Sequence, residues 1–180
     1  MVQGIIAGGA TALYRSVESA EDEENVGALA VDERGVKEED VVVGITASGR
    51  TPFVLGALSR AKSRKAKTIL LTSNPTAAPE LIVDLRINLV TKPELLTGST
   101  RLKAGTATKV ALNIISTGAM VGLGKVRGNL MIDLYTSSAK LRDRAVRMVA
   151  ELAHCDYNAA REQLEASGWN LRTTLEKIGK

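Results

Sequence analysis

The run Asp40-Val41-Val42-Val43-Gly44-Ile45-Thr46, followed at once by Ala47-Ser48-Gly49-Arg50-Thr51-Pro52, constrains this chain more than any other feature. A continuous β-branched run, with no polar residue at every second position to meet water, predicts a strand buried on both faces. The proline after it sits at the favoured first position of a helix, which continues through Val54, Leu55 and Leu58. The pattern returns at Thr68-Ile69-Leu70-Leu71-Thr72, closed by Ser73-Asn74-Pro75, and again over residues 85–90. Residues 3–7 read as a further short buried strand ending at Gly8-Gly9, and Leu13, Val17 and Ala20 give helical spacing over residues 11–20. Strands alternating with helices predict an α/β fold built on a doubly wound parallel sheet.

The rest of the chain is helical or polar. Glu21-Asp22-Glu23-Glu24 opens a charged loop holding a short helix near residues 26–30. Ala107, Val110, Ala111, Ile114, Ile115 and Val121 form the apolar stripe of a long helix ending near Gly124. Gly118, Gly122 and Gly124 predict that this helix packs closely against another. After Asp133 the character changes. Leu141, Ala145, Met148, Val149 and Leu152 are helix-spaced, and two shorter patterns follow on either side of Gly168. The expected organisation is one α/β domain over residues 1–136 and a small helical appendage over residues 137–180, resembling a ubiquitin-associated three-helix unit.

Composition excludes several function classes. Aromatics make up 3% of the 180 residues, so the core must come from Val, Ile, Leu and Ala. No stretch of about 18 apolar residues exists to span a bilayer, and the expectation is no membrane partner. Cys155 is the only cysteine, which fits a reducing cytoplasm. His154 and Cys155 are adjacent and cannot build a typical zinc site, so no metal is expected. Neither a P-loop lysine nor a G-x-G-x-x-G run is present, so no nucleotide cofactor is expected. The net charge is +4, with nine cations between Arg101 and Arg147 against Asp133 and Asp143. This bias favours anionic ligands, but aromatic residues for base stacking are lacking, and no nucleic acid is expected as a partner.

Three places could carry chemistry. Residues 46–52 lie at the carboxyl end of a strand and open a helix, where open α/β sheets bind ligands. The first N–H groups of a helix are unpaired and its dipole favours an anion; Ser48 and Thr51 add hydroxyl donors, and Gly49 allows close backbone approach. The plain alternative is a helix cap made by Ser48 or Thr51. Residues 93–106 hold four hydroxyls, two cations and two glycines at the start of the long helix. Ser99, Thr100, Arg101 and Lys103 could serve phosphate or sugar hydroxyls there, Arg as a fork and Lys as a point charge. The alternative again is a polar loop with a capped helix. Glu21 belongs to an acidic helix end that composition alone reads as solvated surface.

Several blocks resemble, in order, the bacterial N-acetylmuramic acid 6-phosphate etherases: Gly4-Ile5-Ile6-Ala7-Gly8-Gly9, Val17-Glu18-Ser19-Ala20-Glu21-Asp22, residues 40–52, Ser73-Asn74-Pro75, residues 93–106, 113–120 and 124–131. Residues 93–106 also resemble a signature shared with the glucokinase regulatory protein. Ser19 and Lys92 stand where the family usually has Gly.

The resemblance implies a sugar isomerase (SIS) fold of the flavodoxin-like three-layer kind. It also implies a carbon–oxygen lyase that breaks the ether between C3 of the amino sugar and D-lactate, giving N-acetylglucosamine 6-phosphate in cell-wall amino sugar recycling. Glu21 aligns with one of two catalytic glutamates, and partial burial would suit it to remove the C2 proton. Ser48, Gly49, Arg50 and Thr51 match a phosphate loop; Ser99, Thr100, Arg101 and Lys103 fall in the signature. A homodimer is implied, as is common among SIS relatives. The sequence is expected to lack the family's N-terminal third, with its first strand, another phosphate loop and the second glutamate. A non-catalytic phosphosugar-binding regulatory module is the alternative.

Overall fold

Two glycines let the first two helices of the chain touch. Helix α1 spans Glu24–Glu33, strand β1 Val41–Ile45 and helix α2 Pro52–Ser63. A Cβ on Gly27 of α1 would stand 1.9 Å from the Phe53 carbonyl oxygen, and one on Gly56 of α2 2.2 Å from the Glu24 carbonyl oxygen. Only glycine permits backbones to approach this closely. Val31, Ala57, Ala61 and Ala66 are buried around the contact, with Val36 and Val42 against them. Asp32 joins the helices at the surface, accepting from Arg60 Nε at 2.8 Å and Arg64 Nη2 at 2.9 Å.

The computed structural model describes residues 2–77 and 80–179. Strand β2 spans Lys67–Thr72 and β3 Leu85–Asn88; with β1 they form a parallel sheet in the order β1-β2-β3. Val43 pairs with Ile69, and Ile69 with Leu85. Asp84 fixes the start of β3. Its Oδ2 accepts from both the N–H and the hydroxyl of Thr68 at 2.8 Å, and its Oδ1 from Lys62 Nζ at 3.0 Å. These donors, the Thr68 hydroxyl foremost, hold its carboxyl well below the usual range. Helix α2 lies on the sheet, where a Cβ at Gly44 would be 2.5 Å from Leu58 Cδ1. The parallel α/β class expected from the sequence is the one that forms.

Three expectations fail locally, each for lack of a neighbour. Residues 2–6 form no strand. A strand exists through its ladder, and these residues pair with no strand among the described residues. Residues 11–20 give only 3-10 turns, at Gly9–Leu13 and Ala20–Asp22. Strand β1 is not buried on both faces. It is the edge of the sheet, with Val41 58% and Ile45 40% exposed, whereas Leu70 and Leu71 of central β2 are fully buried.

The described residues divide into two compact units, Met1–Leu112 and Asn113–Lys180. Helix α3, Lys103–Gly122, runs across the division; only Ala104 in it is buried. Its expected close packing is not seen: a Cβ on Gly118, Gly122 or Gly124 would meet nothing within 4 Å. In the second unit a hairpin of β4, Val126–Arg127, and β5, Leu130–Met131, precedes helices α4, Ala139–Ala153, α5, Tyr157–Ala166, and α6, Leu171–Lys177. The three helices close on Val146, Val149, Ala160, Leu164, Leu171 and Leu175. Each begins with a side-chain cap, from Ser138, Asp156 and Asn170 respectively. Asp133 ties the hairpin to α6, accepting from Lys125 Nζ at 2.8 Å and Arg172 Nε at 2.6 Å. Arg172 lowers its pKa most, then Lys125, holding it to about 2. No described helix is long and apolar enough to cross a membrane.

Candidate functional site

The turn from β1 into α2 folds around one buried hydroxyl. Thr46 is 6% exposed. Its Oγ1 lies 2.8 Å from Thr51 Oγ1 and 3.3 Å from Ser48 Oγ, and accepts the Gly49 N–H at 3.2 Å. Ser48 Oγ in turn accepts the Arg50 N–H at 3.2 Å. Gly49 has φ 69°, the left-handed region that glycine enters freely. A Cβ there would be 2.2 Å from Ala77 Cβ. From the end of β2, Asn74 Nδ2 donates to the Ser48 carbonyl at 3.2 Å, and the Thr72 hydroxyl donates to the Ala47 carbonyl at 3.2 Å. The turn is thus clamped from inside by Thr46 and from the neighbouring strand by Thr72 and Asn74.

The hydroxyls do not cap the helix. Thr51 is the N-cap residue of α2, but its side chain makes no capping bond, and Pro52 takes the first helical position. The plain cap expected as the alternative is therefore absent. The helix start keeps the positive end of its dipole toward the turn, a setting that favours an anion.

A cleft of about 780 Å³ opens beside the turn. Ser48, Thr51, Thr100 and Glu21 all line it, together with Thr46, Arg15 and Arg34. Four of the residues singled out from the sequence therefore share one space, although they lie on three separate stretches of chain. Gly49, Arg50, Ser99, Arg101 and Lys103 are not among its lining. Glu21 sits in the 3-10 turn Ala20–Asp22 and is exposed, as composition alone reads it and without the partial burial that would suit the role the resemblance implies. The turn stands at the surface, where little apolar side chain packs over it.

The start of α3 is occupied from within the chain. Glu94 accepts the N–H of Lys103 at 2.9 Å and of Ala104 at 2.8 Å. These two donors, Ala104 first, pull its pKa below the usual glutamate value. Lys103 Nζ donates to the Pro93 carbonyl. The anion at this helix terminus is Glu94, and the signature region supplies Thr100 to the cleft rather than a second bare helix end.

Sequence reasoning passed over Thr46, Asn74, Arg15, Arg34 and Glu94. A buried Thr two residues ahead of Ser48 was visible only as the end of a strand. Glu94 caps a helix nine positions away, outside the short capping spacing that sequence reveals. Among the described residues no cluster of His, Cys, Asp and Glu is placed to hold a metal ion.

Residues 1–62 match the family model for the glucokinase regulatory protein N-terminal SIS domain. A curated N-acetylmuramic acid 6-phosphate etherase of Crocosphaera subtropica is 54% identical over 175 residues, 97% of this chain. The chain is similar to the N-acetylmuramic acid 6-phosphate etherases over nearly its whole length. Proteins of the same name from Rippkaea orientalis and Microcystis aeruginosa are each 53% identical over the same share. The chain spans 57% of the length of these relatives.

Proposed function

We propose that this chain carries the sugar-phosphate site of an N-acetylmuramic acid 6-phosphate etherase, a lyase that cleaves the D-lactyl ether to give N-acetylglucosamine 6-phosphate and D-lactate in amino sugar recycling. The observation that carries the reading is the single cleft lined by Ser48, Thr51, Thr100 and Glu21. In it the phosphoryl group takes the hydroxyls of Ser48 and Thr51 and the open end of α2; Gly49 and Arg50 belong to the same turn outside the cleft lining, Gly49 seating it on Ala77 and Arg50 adding positive charge nearby. Ser99, Arg101 and Lys103, also outside the lining, bear on the bound sugar phosphate from the neighbouring loop, Lys103 exchanging the Pro93 carbonyl for it. Glu21 is the acid/base group for the proton at C2 of the opened sugar. Residues 1–136 form the phosphosugar domain and residues 137–180 a ubiquitin-associated-like region; the three-helix core behind Val146 and Leu164 supports the latter. The protein works in the cytoplasm as a homodimer, and the exposed apolar residues Val110, Ile114 and Val121 of α3 support self-association. Neither a metal nor a cofactor takes part.

Lactate release from N-acetylmuramic acid 6-phosphate is the test, with Glu21→Gln as the control. Release that disappears in the variant supports the lyase. The match of residues 1–62 to a regulatory protein's SIS domain favours one other reading, a phosphosugar-binding regulatory module without turnover. Saturable binding of N-acetylglucosamine 6-phosphate with no lactate release would select it.

A further inference from the structure

The three hydrogen-bonding groups gathered on the Thr46 hydroxyl allow a count of protons. A threonine hydroxyl has one proton to give and two acceptor positions. Thr46 Oγ1 accepts the Gly49 N–H. Its distance of 2.8 Å to Thr51 Oγ1 is that of a full O–H···O bond, whereas 3.3 Å to Ser48 Oγ is long for one. Ser48 Oγ already accepts from the Arg50 N–H, so its own proton is free to turn outward. Phosphoryl oxygens only accept. For Ser48 and Thr51 both to donate to one, Thr51 must receive its inner hydrogen bond rather than give it. Only Thr46 stands there to give it.

We propose that Thr46 is the positioning residue of this turn: its buried hydroxyl donates to Thr51 and holds the Gly49 N–H, so that the Thr51 and Ser48 protons both point at the anion. The assignment rests on the phosphosugar reading above and names how the turn is made ready. A residue that is 6% exposed, at the floor of the cleft, acts through its neighbours. Buried hydroxyl networks of this kind hold their members in one arrangement, so a bound anion meets donors already aimed.

The test is binding of N-acetylglucosamine 6-phosphate and of inorganic phosphate to the full chain by calorimetry. Thr46→Val keeps the shape and removes the hydroxyl; Thr46→Ala is a second hydroxyl-free variant should valine impair folding, and Thr46→Ser restores the donor. The hydroxyl-free variant is expected to bind about tenfold more weakly, because the Thr51 hydrogen bond to the charged phosphoryl group is no longer held in aim. Thr46→Ser should recover affinity to within about threefold. In a Thr51→Val background, removing the Thr46 hydroxyl should cost clearly less than in the wild type, because only its hold on the Gly49 N–H is left to lose. Unchanged affinity in the hydroxyl-free variant overturns the assignment. So does an equal loss in the Thr51→Val background, which would make Thr46 a direct ligand contact. Wild-type protein that binds neither probe overturns the phosphosugar reading and this assignment with it, a result the variants alone could not produce.

Discussion

Gly49 faces Ala77 so closely that an added Cβ would stand 2.2 Å from the alanine's. The turn at the end of β1 and the loop after β2 are therefore seated on one another, and the seat depends on a missing side chain. Gly49→Ala would also force alanine into φ 69°. Strain and overpacking together are expected to cost about 2–4 kcal/mol. Thermal unfolding should show the loss, and calorimetry should show that affinity for N-acetylglucosamine 6-phosphate falls more than tenfold. Full affinity in a well-folded variant would mean that the 48–51 turn does not hold the phosphoryl group.

Two glycine-to-alanine changes in helices should have opposite signs. In an open helix the change stabilises by about 0.5–1 kcal/mol, through lost freedom in the unfolded chain. Gly118 of α3 meets nothing within 4 Å, so Gly118→Ala should raise the melting temperature. Gly27 of α1 touches the Phe53 carbonyl, so Gly27→Ala must push α1 from α2 and should cost about 1–3 kcal/mol or more. Gly118 shares a helical face with Val110, Ile114 and Val121, so at protein concentrations where the proposed α3 dimer forms the sign should reverse and the melting temperature of Gly118→Ala should fall.

Glu94 makes the start of α3 sensitive to acid. Its folded pKa lies below the unfolded value because the Ala104 and Lys103 N–H groups bind the carboxylate. Its contribution to stability is thus complete above about pH 4.3 and is lost as the pH falls through the lower folded value. The protection of the Lys103 and Ala104 amides against hydrogen exchange, taken relative to the intrinsic rate at each pH, should fall across that window. In Glu94→Gln that protection should be low at neutral pH and flat with pH. A wild-type profile that is equally flat would exclude Glu94 as the cap.

Asp133 should behave alike in the second unit, at lower pH. Arg172 and Lys125 hold it to about 2, so its contribution is complete above about pH 4 and lost as the pH falls through about 2. Asp133→Asn at neutral pH should loosen α6 from the hairpin, seen as faster amide exchange over Leu171–Lys177. The change should be small in overall melting temperature, because the pair is partly solvated.

The sequence alone determined β1, β2, α2, α3 and the three C-terminal helices, because each is written in residue periodicity and in local signals such as Pro52. It also determined that Ser48, Gly49 and Thr51 would stand where a strand hands over to a helix. What only the tertiary structure decided are relations between stretches that periodicity cannot compare. That β1 is an edge depends on which strands find partners, and residues 2–6 find none among those described. That Glu21 and Thr100 share a cleft with Ser48 depends on how three stretches are laid side by side. That Glu94 fills the start of α3, and that the Thr46 and Thr51 hydroxyls meet at 2.8 Å, depends on distances of a few tenths of an ångström. Hydrogen bonds are decided at that scale, and a one-dimensional pattern does not carry it.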